Sequence, residues 1–402
     1  MTDEQTDPGG LPTVVLKAGC HRRVRKGHPW VYSNEVEMTP EAKALEPGAL
    51  VRLATANGEP IGAATFNPHT LIAGRLLTRD PETPVDRAWF AERLGRALEL
   101  RERLLGGGFY RLAHAEADGL PGLVVDRFGP ALVVQANTAG MDRLWPEVAA
   151  ALGEALQPEV IVLAGDPGVR ALEGLGPRSG AVEGALDGPV RVEENGVVYL
   201  ADVLRGQKTG WFYDQRDNRA FMARLSAGAH VLDVYCYTGG FALACARSGA
   251  RAVSGLDRST AALELAAAAA ELNGLADRCT FRCADAFAEL ARLAGEGARF
   301  EVVIADPPAF ARTRKDVGPA LKGYRKLARL AARVTAPQGV LLLASCSHHV
   351  TAEAFRAEVA RGIWTAGRQA RVLREAGAGP DHPVHPFLPE SAYLKVLVLA
   401  LD

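Results

Sequence analysis

From residue 230 to its end, the chain alternates short apolar strand patterns with helix patterns. Strands linked by helices in this way form a parallel sheet that helices cover on both faces. The alternation therefore limits this region to an α/β, doubly wound, Rossmann-like fold. The predicted strands cover 231–234, 252–257, 280–282, 300–306, 340–345 and 393–401, and the predicted helices cover 260–272 and 324–334.

Residues 12–80 have a different sequence pattern, in which short runs of strand-forming residues lie between frequent turn signals. Asn57-Gly58 and Asn67-Pro68 are two of these signals, since Gly, Asn and Pro punctuate strands. Short strands with closely spaced turns are typical of a small β-barrel or sandwich. We therefore expect an N-terminal β domain over 12–80.

A middle α+β domain is expected over 85–189. Its helix patterns cover 89–105 and 141–156, with strand-like runs between and after them. The Gly- and Pro-rich stretch 165–180 is expected to be a surface loop.

The third domain, 190–402, opens with a hairpin signal. Asn195-Gly196 lies between two stretches in which apolar residues alternate. Asn-Gly suits a type I′ turn, because that turn needs two positive φ angles, so a β-hairpin is expected at 192–199.

Composition excludes several classes of protein. Lys and Arg number 46 against 47 Asp and Glu, so the net charge of -1 gives no global attraction to nucleic acid or membrane. No apolar run approaches the roughly 18 residues that span a bilayer, and residues 1–10 lack the apolar core of a secretory signal. None of the cysteines forms a C-x-x-C pair, so we expect no metal site and a reduced, cytoplasmic setting.

Acidic residues end four successive strands of the third domain. Ligands of an open α/β sheet bind outside the carboxyl ends of its strands, so these side chains are expected to line one site. Gly239-Gly240 follows the first of these strands, where a ligand can approach the backbone closely. Ribose hydroxyls, an adenine amine and a cationic centre suit such carboxylates, and S-adenosylmethionine carries all three. The acidic residues are Asp233, Asp257, Asp285 and Asp306.

Several motifs, spread over nearly the whole chain, resemble a known family. They are GQKTGWFYDQRDNR at 206–219, YCYTGGF at 235–241, DPPAF at 306–310, SCS at 345–347, GHPWVY at 27–32 and DGLPGLVVD at 118–126. The chain resembles the class I S-adenosylmethionine-dependent methyltransferases that make 5-methylcytosine in large-subunit (23S) ribosomal RNA. The resemblance implies a PUA domain at 12–80, a methyltransferase domain at 190–402, S-adenosylmethionine as cofactor and 23S ribosomal RNA as partner. The resemblance also favours a homodimer.

The resemblance further implies which residues contact the cofactor. Gly239, Gly240 and the four acidic residues at the strand ends belong to this set. No residue is expected to ligate a metal. The resemblance adds Gln207, Asp214, Arg216 and Tyr235.

Cys346 is the candidate nucleophile. C5 of cytosine accepts a methyl group only after a thiolate adds to C6 and makes C5 carbanion-like. Cys346 follows an apolar strand and matches the nucleophile motif of the family, whereas Cys245, Cys279 and Cys283 lie among small or apolar residues and are expected in the core. Because a cysteine is mostly thiol at neutral pH, a polar or positive surrounding must activate it.

The turn Asp306-Pro307-Pro308 is the second candidate catalytic element. Two prolines fix a rigid turn directly after a strand. We expect Asp306 to form a hydrogen bond with the N3/N4 edge of cytosine. The two prolines are expected to contact the RNA, and Phe310 is expected to pack against the base. The base that removes the C5 proton is unassigned, and the two histidines that follow Cys346 are candidates.

Two basic clusters are expected to contact RNA. One interleaves basic and aromatic residues near the N-terminus, which suits phosphate contacts and base stacking. The other follows the Asp306 turn, where RNA would enter. The target base is expected to flip out, since its C6 atom is unreachable in a stack. The clusters include Arg22, Arg23, Arg25 and Lys26, and then Arg312 and Lys315.

Two other functions are compatible with the sequence. An exocyclic-amine methyltransferase acting on guanine or adenine in RNA would need no cysteine. A non-catalytic RNA-binding ribosome assembly factor would rely on the N-terminal domain and bind no cofactor. Replacing Cys346 separates the first from cytosine-C5 methylation, and binding of S-adenosylmethionine separates the second.

Overall fold

The computed structural model describes residues 10–206 and 208–402. These residues divide into two compact units. One runs to Asp187 and includes Pro383–Pro389, and the other comprises Gly188–His382 and Glu390–Asp402. The first unit contains two five-stranded sheets, and the second contains a hairpin and a seven-stranded sheet.

The first sheet of the N-terminal unit is built from short strands. They and two short helices are β1 (Thr13–Val15), α1 (His21–Arg25), β2 (Trp30–Tyr32), α2 (Pro40–Ala44), β3 (Ala49–Ala54), β4 (Pro60–Phe66) and β5 (Ile72–Thr78). The strand order is β1-β3-β4-β5-β2, around a core that includes Leu53 and Phe66. The sequence analysis missed β2, which has three residues, and β4, which shows no alternation because six of its seven residues are buried.

The second sheet is covered by helices that differ from those expected. Its elements are α3 (Arg87–Leu104), β6 (Phe109–His114), β7 (Leu123–Phe128), β8 (Ala131–Ala136), α4 (Ala139–Arg143), α5 (Trp145–Leu156), β9 (Val160–Ala164), α6 (Pro167–Leu172) and β10 (Ser179–Glu183). The single helix predicted at 141–156 is wrong, because α4 ends at Arg143 and a separate helix begins at Trp145 with Pro146 in its first turn. The loop predicted at 165–180 is also wrong, since Asp166 caps α6 by accepting N–H groups of its first turn.

The second unit begins with the hairpin. Strands β11 (Val190–Glu194) and β12 (Val197–Ala201) pair antiparallel. Asn195 and Gly196 have φ angles of 52° and 76°, which confirms the expected turn.

The large sheet has the predicted alternation of strands and helices. Its elements are α7 (Arg216–Arg224), β13 (His230–Val234), α8 (Gly240–Arg247), β14 (Ala252–Asp257), α9 (Thr260–Leu272), β15 (Cys279–Cys283), α10 (Ala286–Gly295), β16 (Phe300–Ala305), α11 (Val317–Val334), β17 (Thr335–Ser345), α12 (Ala352–Thr365), β18 (Ala370–Ala376) and β19 (Lys395–Leu401). The strand order is β15-β14-β13-β16-β17-β19-β18. Its pairs are parallel except those of β19, which is antiparallel to both neighbours. The expected α/β, doubly wound, Rossmann-like architecture is confirmed.

The strand order places a crevice at the centre of this sheet. From β13 the chain first moves outward through β14 and β15, and it then returns to β16 on the other side. Ligands of open α/β sheets bind at such a switch point, outside the carboxyl ends of the strands. The turns that follow β13, β16 and β17 therefore meet at one edge, which is where the candidate residues lie.

Candidate active site

The loop after β13 contains left-handed backbone conformations. Tyr235, Tyr237 and Gly239 have φ angles of 67°, 49° and 81°. For the two tyrosines such a conformation costs of order 1–3 kcal/mol, and this kind of strain concentrates at ligand sites. The N–H groups of Tyr235 and Cys236 both donate to the carbonyl of Leu256, at 2.8 and 3.0 Å. The neighbouring strand β14 thus fixes the loop at the crevice.

Asp233 supports this loop from inside the protein. Its side chain is completely buried, and Oδ2 accepts the N–H of Ala242 in α8 at 2.9 Å. Burial raises the pKa of Asp233 to about 8, and the charges of Asp306 and Asp257 add to the effect. The direct contact between Asp233 and the cofactor stays a prediction. In the structure this carboxyl, which has no accessible surface, holds β13 to α8.

Asp257 and Asp285 follow two neighbouring strands, β14 and β15. Asp257 is half-buried, and its two oxygens accept the N–H groups of Tyr237 and Ser259, each at 2.9 Å. Asp285 is exposed and caps α10 by accepting the N–H of Ala288 at 3.0 Å. Each carboxylate has lone pairs for further hydrogen bonds, so the two suit ribose and adenine groups at this edge.

The concentration of buried acidic groups fits a cationic ligand. The charge of Asp214 raises the pKa of Asp306, and the charge of Asp306 raises that of Asp233. Because desolvated carboxylates repel one another, a positive centre among them is stabilising. S-adenosylmethionine carries a sulfonium and an ammonium, so the residues present fit this cofactor. Asp257, Asp285 and the loop 235–239 would hold it.

The segment that follows Gln207 reaches these acidic groups through buried side chains, while Gln207 itself lies outside the described residues. Gln215 Nε2 donates to Asp306 Oδ2 at 2.8 Å, and the Tyr393 hydroxyl donates to Asp214 Oδ2 at 2.5 Å. Asp214 thus belongs to the buried polar groups near Asp306, and its contact with the cofactor stays a prediction. The sequence analysis missed Gln215 and Tyr393, because only the fold brings them to these carboxyl groups.

Arg216 lies beside the hairpin, and its contact with the cofactor stays a prediction. Its Nη2 lies 3.8 Å from Oε2 of Glu194, a carboxylate with a fully buried side chain. Arg219 pairs with the same carboxylate at 2.6 and 2.8 Å and also donates to the carbonyl of Phe212 at 2.9 Å. A buried carboxylate requires such partners, so the two arginines fix this segment to β11.

Asp306 follows β16 and is half-buried. Burial raises the pKa of Asp306 to about 7, Asp214 adds to the rise, and the hydrogen bond from Gln215 opposes it. Pro307 is buried, while Pro308 is exposed. A carboxyl with this pKa can hold or release a proton near neutral pH, as an acid or base requires.

Cys346 lies beside the Asp306 turn, because β17 pairs with β16. Its Sγ is 3.9 Å from the carbonyl oxygen of Pro307. Burial raises the pKa of Cys346 to about 11, Asp306 adds to the rise and Lys208 opposes it. The structure thus brings together the two catalytic candidates, and it leaves the thiol protonated at rest.

Tyr324 of α11 joins the two loops that carry these candidates. Its hydroxyl accepts a hydrogen bond from Ser345 Oγ and forms another with Ser347 Oγ, each at 2.9 Å. The Phe310 ring stacks on the Tyr324 ring with centroids 4.6 Å apart. Phe310 is expected to pack against the base, and one face of its ring is covered by Tyr324. The sequence analysis missed this tyrosine.

The remaining cysteines differ from Cys346 in burial or position. Cys245 and Cys279 are buried, which raises their pKa values to about 12 and about 11. Cys283, expected in the core, is exposed, because it ends β15 at the edge of the sheet. Its position corrects that expectation.

The two candidate bases are both exposed, but they have different neighbours. His348 stacks on the Tyr393 ring with centroids 5.1 Å apart, and partial desolvation lowers the pKa of His348. At neutral pH the His348 ring is therefore largely neutral and able to accept a proton.

The basic residues expected to contact RNA divide into those that form ion pairs and those that form none with other described residues. Arg23 pairs with Glu35 at 2.6 Å, and Arg25 pairs with Glu59 at 2.7 Å. Arg23 also donates to the carbonyl of Trp30, so it serves its own domain and adds less charge to a surface than expected. The other members of the two clusters are exposed, namely Arg22 and Lys26 in the first unit and Arg312 and Lys315 in the second.

Two kinds of feature are absent from the described residues. No group of three or more His, Cys, Asp or Glu side chains there could hold a metal ion. No helix in the same residues has the length and apolar character needed to cross a membrane.

Comparison with protein families gives two matches. Residues 14–79 match a PUA-like domain, and residues 182–386 match an S-adenosylmethionine-dependent methyltransferase. Two similar proteins are each called ribosomal RNA large subunit methyltransferase I. The one from Shewanella amazonensis is 37% identical over 390 residues, covering 96% of this chain and 98% of its own. The one from Aeromonas hydrophila is 37% identical over 394 residues with the same coverage.

Solved structures share the fold. The crystal structure of SMU.776, described as a methyltransferase complexed with SAH, superposes with a TM-score of 0.82 at 20% identity. It covers 97% of this chain and 100% of its own. Trm5b from Pyrococcus abyssi gives a TM-score of 0.51 at 14% identity and covers 69% of this chain and 74% of its own. At these identities the likeness concerns the fold alone.

Proposed function

The chain belongs to the S-adenosylmethionine-dependent methyltransferase family, and on this premise we propose that it methylates C5 of a cytosine in 23S ribosomal RNA. The names of its full-length relatives support large-subunit ribosomal RNA as the substrate. The match to a PUA-like domain is in keeping with RNA binding by the N-terminal region. A ribosomal RNA substrate is also in keeping with the cytoplasm as the place of action.

One observation carries the choice of cytosine C5. The Cys346 thiol lies beside the Asp306 turn, with Sγ 3.9 Å from the Pro307 carbonyl oxygen. Methylation of an exocyclic amine uses the lone pair of the amine and needs no thiol. A cysteine at the carboxyl edge of the sheet, next to the turn assigned to the base, therefore favours covalent attack on a pyrimidine ring.

Cys346 acts as the nucleophile. Bound S-adenosylmethionine supplies an electrophilic methyl group. The Cys346 thiolate forms a bond to C6, and the electron pair of the C5–C6 double bond makes C5 nucleophilic. After C5 has taken the methyl group, its proton leaves to a base, the S–C6 bond breaks and the thiolate is restored.

Asp306 stabilises the charge that this attack creates. Addition at C6 moves electron density toward N3 of the ring. Because the pKa of Asp306 is raised to about 7, its carboxyl can carry a proton near neutral pH and donate it in a hydrogen bond to N3. Gln215 holds the Asp306 carboxyl in place by donating a hydrogen bond to Asp306 Oδ2 at 2.8 Å.

RNA binding is divided between the 12–80 domain and the segment that follows the Asp306 turn. We assign phosphate contacts to the exposed Arg22 and Lys26 of the 12–80 domain, and to Arg312 and Lys315 after the Asp306 turn. Pro308 is exposed next to the catalytic carboxyl, so it is free to contact the nucleotide.

Mapping of methylated nucleosides tests this proposal. Ribosomal RNA is treated with S-adenosylmethionine and either the wild-type chain, Cys346→Ala or Cys283→Ala, and the product nucleosides are identified by mass spectrometry. We expect 5-methylcytosine from the wild type and from Cys283→Ala, which removes an exposed cysteine at the end of the edge strand β15, and none from Cys346→Ala. A methyl group on a guanine or adenine amine, or full activity of Cys346→Ala, would contradict the proposal.

A further inference from the structure

Lys395 is a half-buried lysine on the strand next to Cys346. It begins β19 and lies opposite Ser345 in the antiparallel pairing with β17. Its Nζ donates to the carbonyl of Ser347 at 2.6 Å and to the carbonyl of Tyr393 at 2.7 Å. The amine is therefore anchored to the residue that directly follows Cys346.

The hydrogen bonds of Lys395 are compatible with both a neutral amine and an ammonium. An amine has two N–H donors and one lone pair, while an ammonium has three N–H donors. The two carbonyl groups use two donors. The third position is then either a lone pair that can accept a proton or an N–H that can donate to an anion.

The charge of a Lys395 ammonium is poorly compensated. Among the described residues Lys395 forms no ion pair with Asp or Glu, and burial lowers its pKa to about 8. A negative charge on Cys346 acts in the opposite direction and raises the pKa of Lys395. Since the interaction of two charges is reciprocal, the ammonium favours the thiolate of Cys346.

Other charged groups face the same thiol. Asp306 and Asp214 raise the pKa of Cys346, and Lys208 lowers it. His348 is near enough for Lys395 and Lys208 to lower its pKa. In the part of the chain that the structure describes, the Lys395 amine differs from these groups because its hydrogen bonds go only to the backbone carbonyls of Ser347 and Tyr393.

We propose that Lys395 takes the proton of the Cys346 thiol and, as an ammonium, stabilises the resulting thiolate. The S–H bond breaks, an N–H bond forms on Nζ, and the electron pair stays on sulfur. When the S–C6 bond breaks at the end of the cycle, the thiolate returns to the same ammonium. The inference rests on the proposed function in so far as Cys346 is the nucleophile.

Alkylation of Cys346 tests the inference without RNA. The full chain is treated with iodoacetamide at a series of pH values between pH 6 and pH 10, about one pH unit apart. The modified Cys346 peptide is followed by mass spectrometry, because only the thiolate reacts. Lys395→Gln keeps the donors to both carbonyl groups and removes the charge. Lys395→Arg keeps the charge and removes the proton acceptor. Lys43→Gln is the matched control at an exposed lysine of the other unit.

We expect Lys395→Gln to slow alkylation of Cys346 at pH 8 by about tenfold or more, which corresponds to one pKa unit. Lys395→Arg should stay closer to the wild type in rate and lose the rise in rate near pH 8, while Lys43→Gln should match the wild type. Calorimetric binding of S-adenosylmethionine shows that each variant is folded. An unchanged pH profile in Lys395→Gln would overturn the inference.

The same experiment separates this inference from the proposed function. If the wild type makes 5-methylcytosine and the Lys395→Gln profile is unchanged, only the pairing fails. If no 5-methylcytosine forms but alkylation depends on Lys395, the pairing stands and the proposed function fails.

Discussion

The Sγ atom of Cys346 lies 3.9 Å from the carbonyl oxygen of Pro307. The two residues are far apart in the chain, and the parallel pairing of β16 with β17 brings their turns together. This contact places a thiol next to the carboxyl of Asp306. The reaction assigned to the chain depends on it.

Replacing Asp306 by Asn should change how stability depends on pH. The pKa of Asp306 is about 7 in the folded chain, against about 3.9 when unfolded. Between these values the folded state binds more protons, so the free energy of unfolding falls as pH rises. Asn cannot ionise, so the Tm of Asp306→Asn without cofactor should exceed that of the wild type at pH 8 and approach it at pH 5.

Thermal unfolding at the two pH values measures this difference. Glu375→Gln, at an exposed ion pair, is the control and should show no comparable dependence. A variant that is less stable than the wild type at pH 8 would show that the pKa of Asp306 is not raised in the folded chain.

Replacing Tyr324 by Phe should loosen the Cys346 loop. The hydroxyl bonds to both Ser345 and Ser347, and its loss leaves the buried Ser345 hydroxyl without the acceptor to which it donates, while Ser347 Oγ still accepts the N–H of Ala311. We expect a loss of about 1–3 kcal/mol in the free energy of unfolding. In a double-mutant cycle with Ser347→Ala, a coupling of about 0.5 kcal/mol or more is expected, because the two residues share one network. Urea denaturation measures both, and additive effects would show that the network does not exist.

Replacing Arg312 and Lys315 by Gln should weaken RNA binding without changing its sequence preference. Both side chains are exposed beside the Asp306 turn, and each lost phosphate contact should reduce the salt dependence of binding by about 0.7 to 0.9 in the log–log slope. Filter binding at several salt concentrations measures this slope. Arg356→Gln, at an exposed ion pair elsewhere, is the control. An unchanged slope in the double variant would remove these residues from the RNA site.

Much of the second unit was predictable from local patterns. Helix α9 has the predicted bounds, and the φ angles of Asn195 and Gly196 are those the turn requires. Parallel strands end at one edge, so the acidic residues that follow them could be assigned to one site before their contacts were known. Asp233 differs from the other three in that the fold buries it completely.

The partners of the catalytic groups were not predictable from local patterns. Gln215, Tyr324 and Lys395 reach the site from a buried segment, a helix and the last strand, and no spacing in the chain relates them to Cys346. Charge patterns in the sequence likewise did not show which basic residues form ion pairs within the protein. Arg23 lies in a basic run, yet its partner Glu35 is supplied by the fold.

Capture of the covalent adduct tests the central claim most directly. RNA containing 5-fluorocytidine has fluorine in place of the C5 proton, so the enzyme cannot be released after methyl transfer. In the presence of S-adenosylmethionine, we expect the wild type to form an adduct that survives denaturation and whose peptide map places the RNA on Cys346, and we expect none from Cys346→Ala. Methylation of cytosine-containing RNA by a wild type that forms no adduct, or an adduct that persists in Cys346→Ala, would contradict the account.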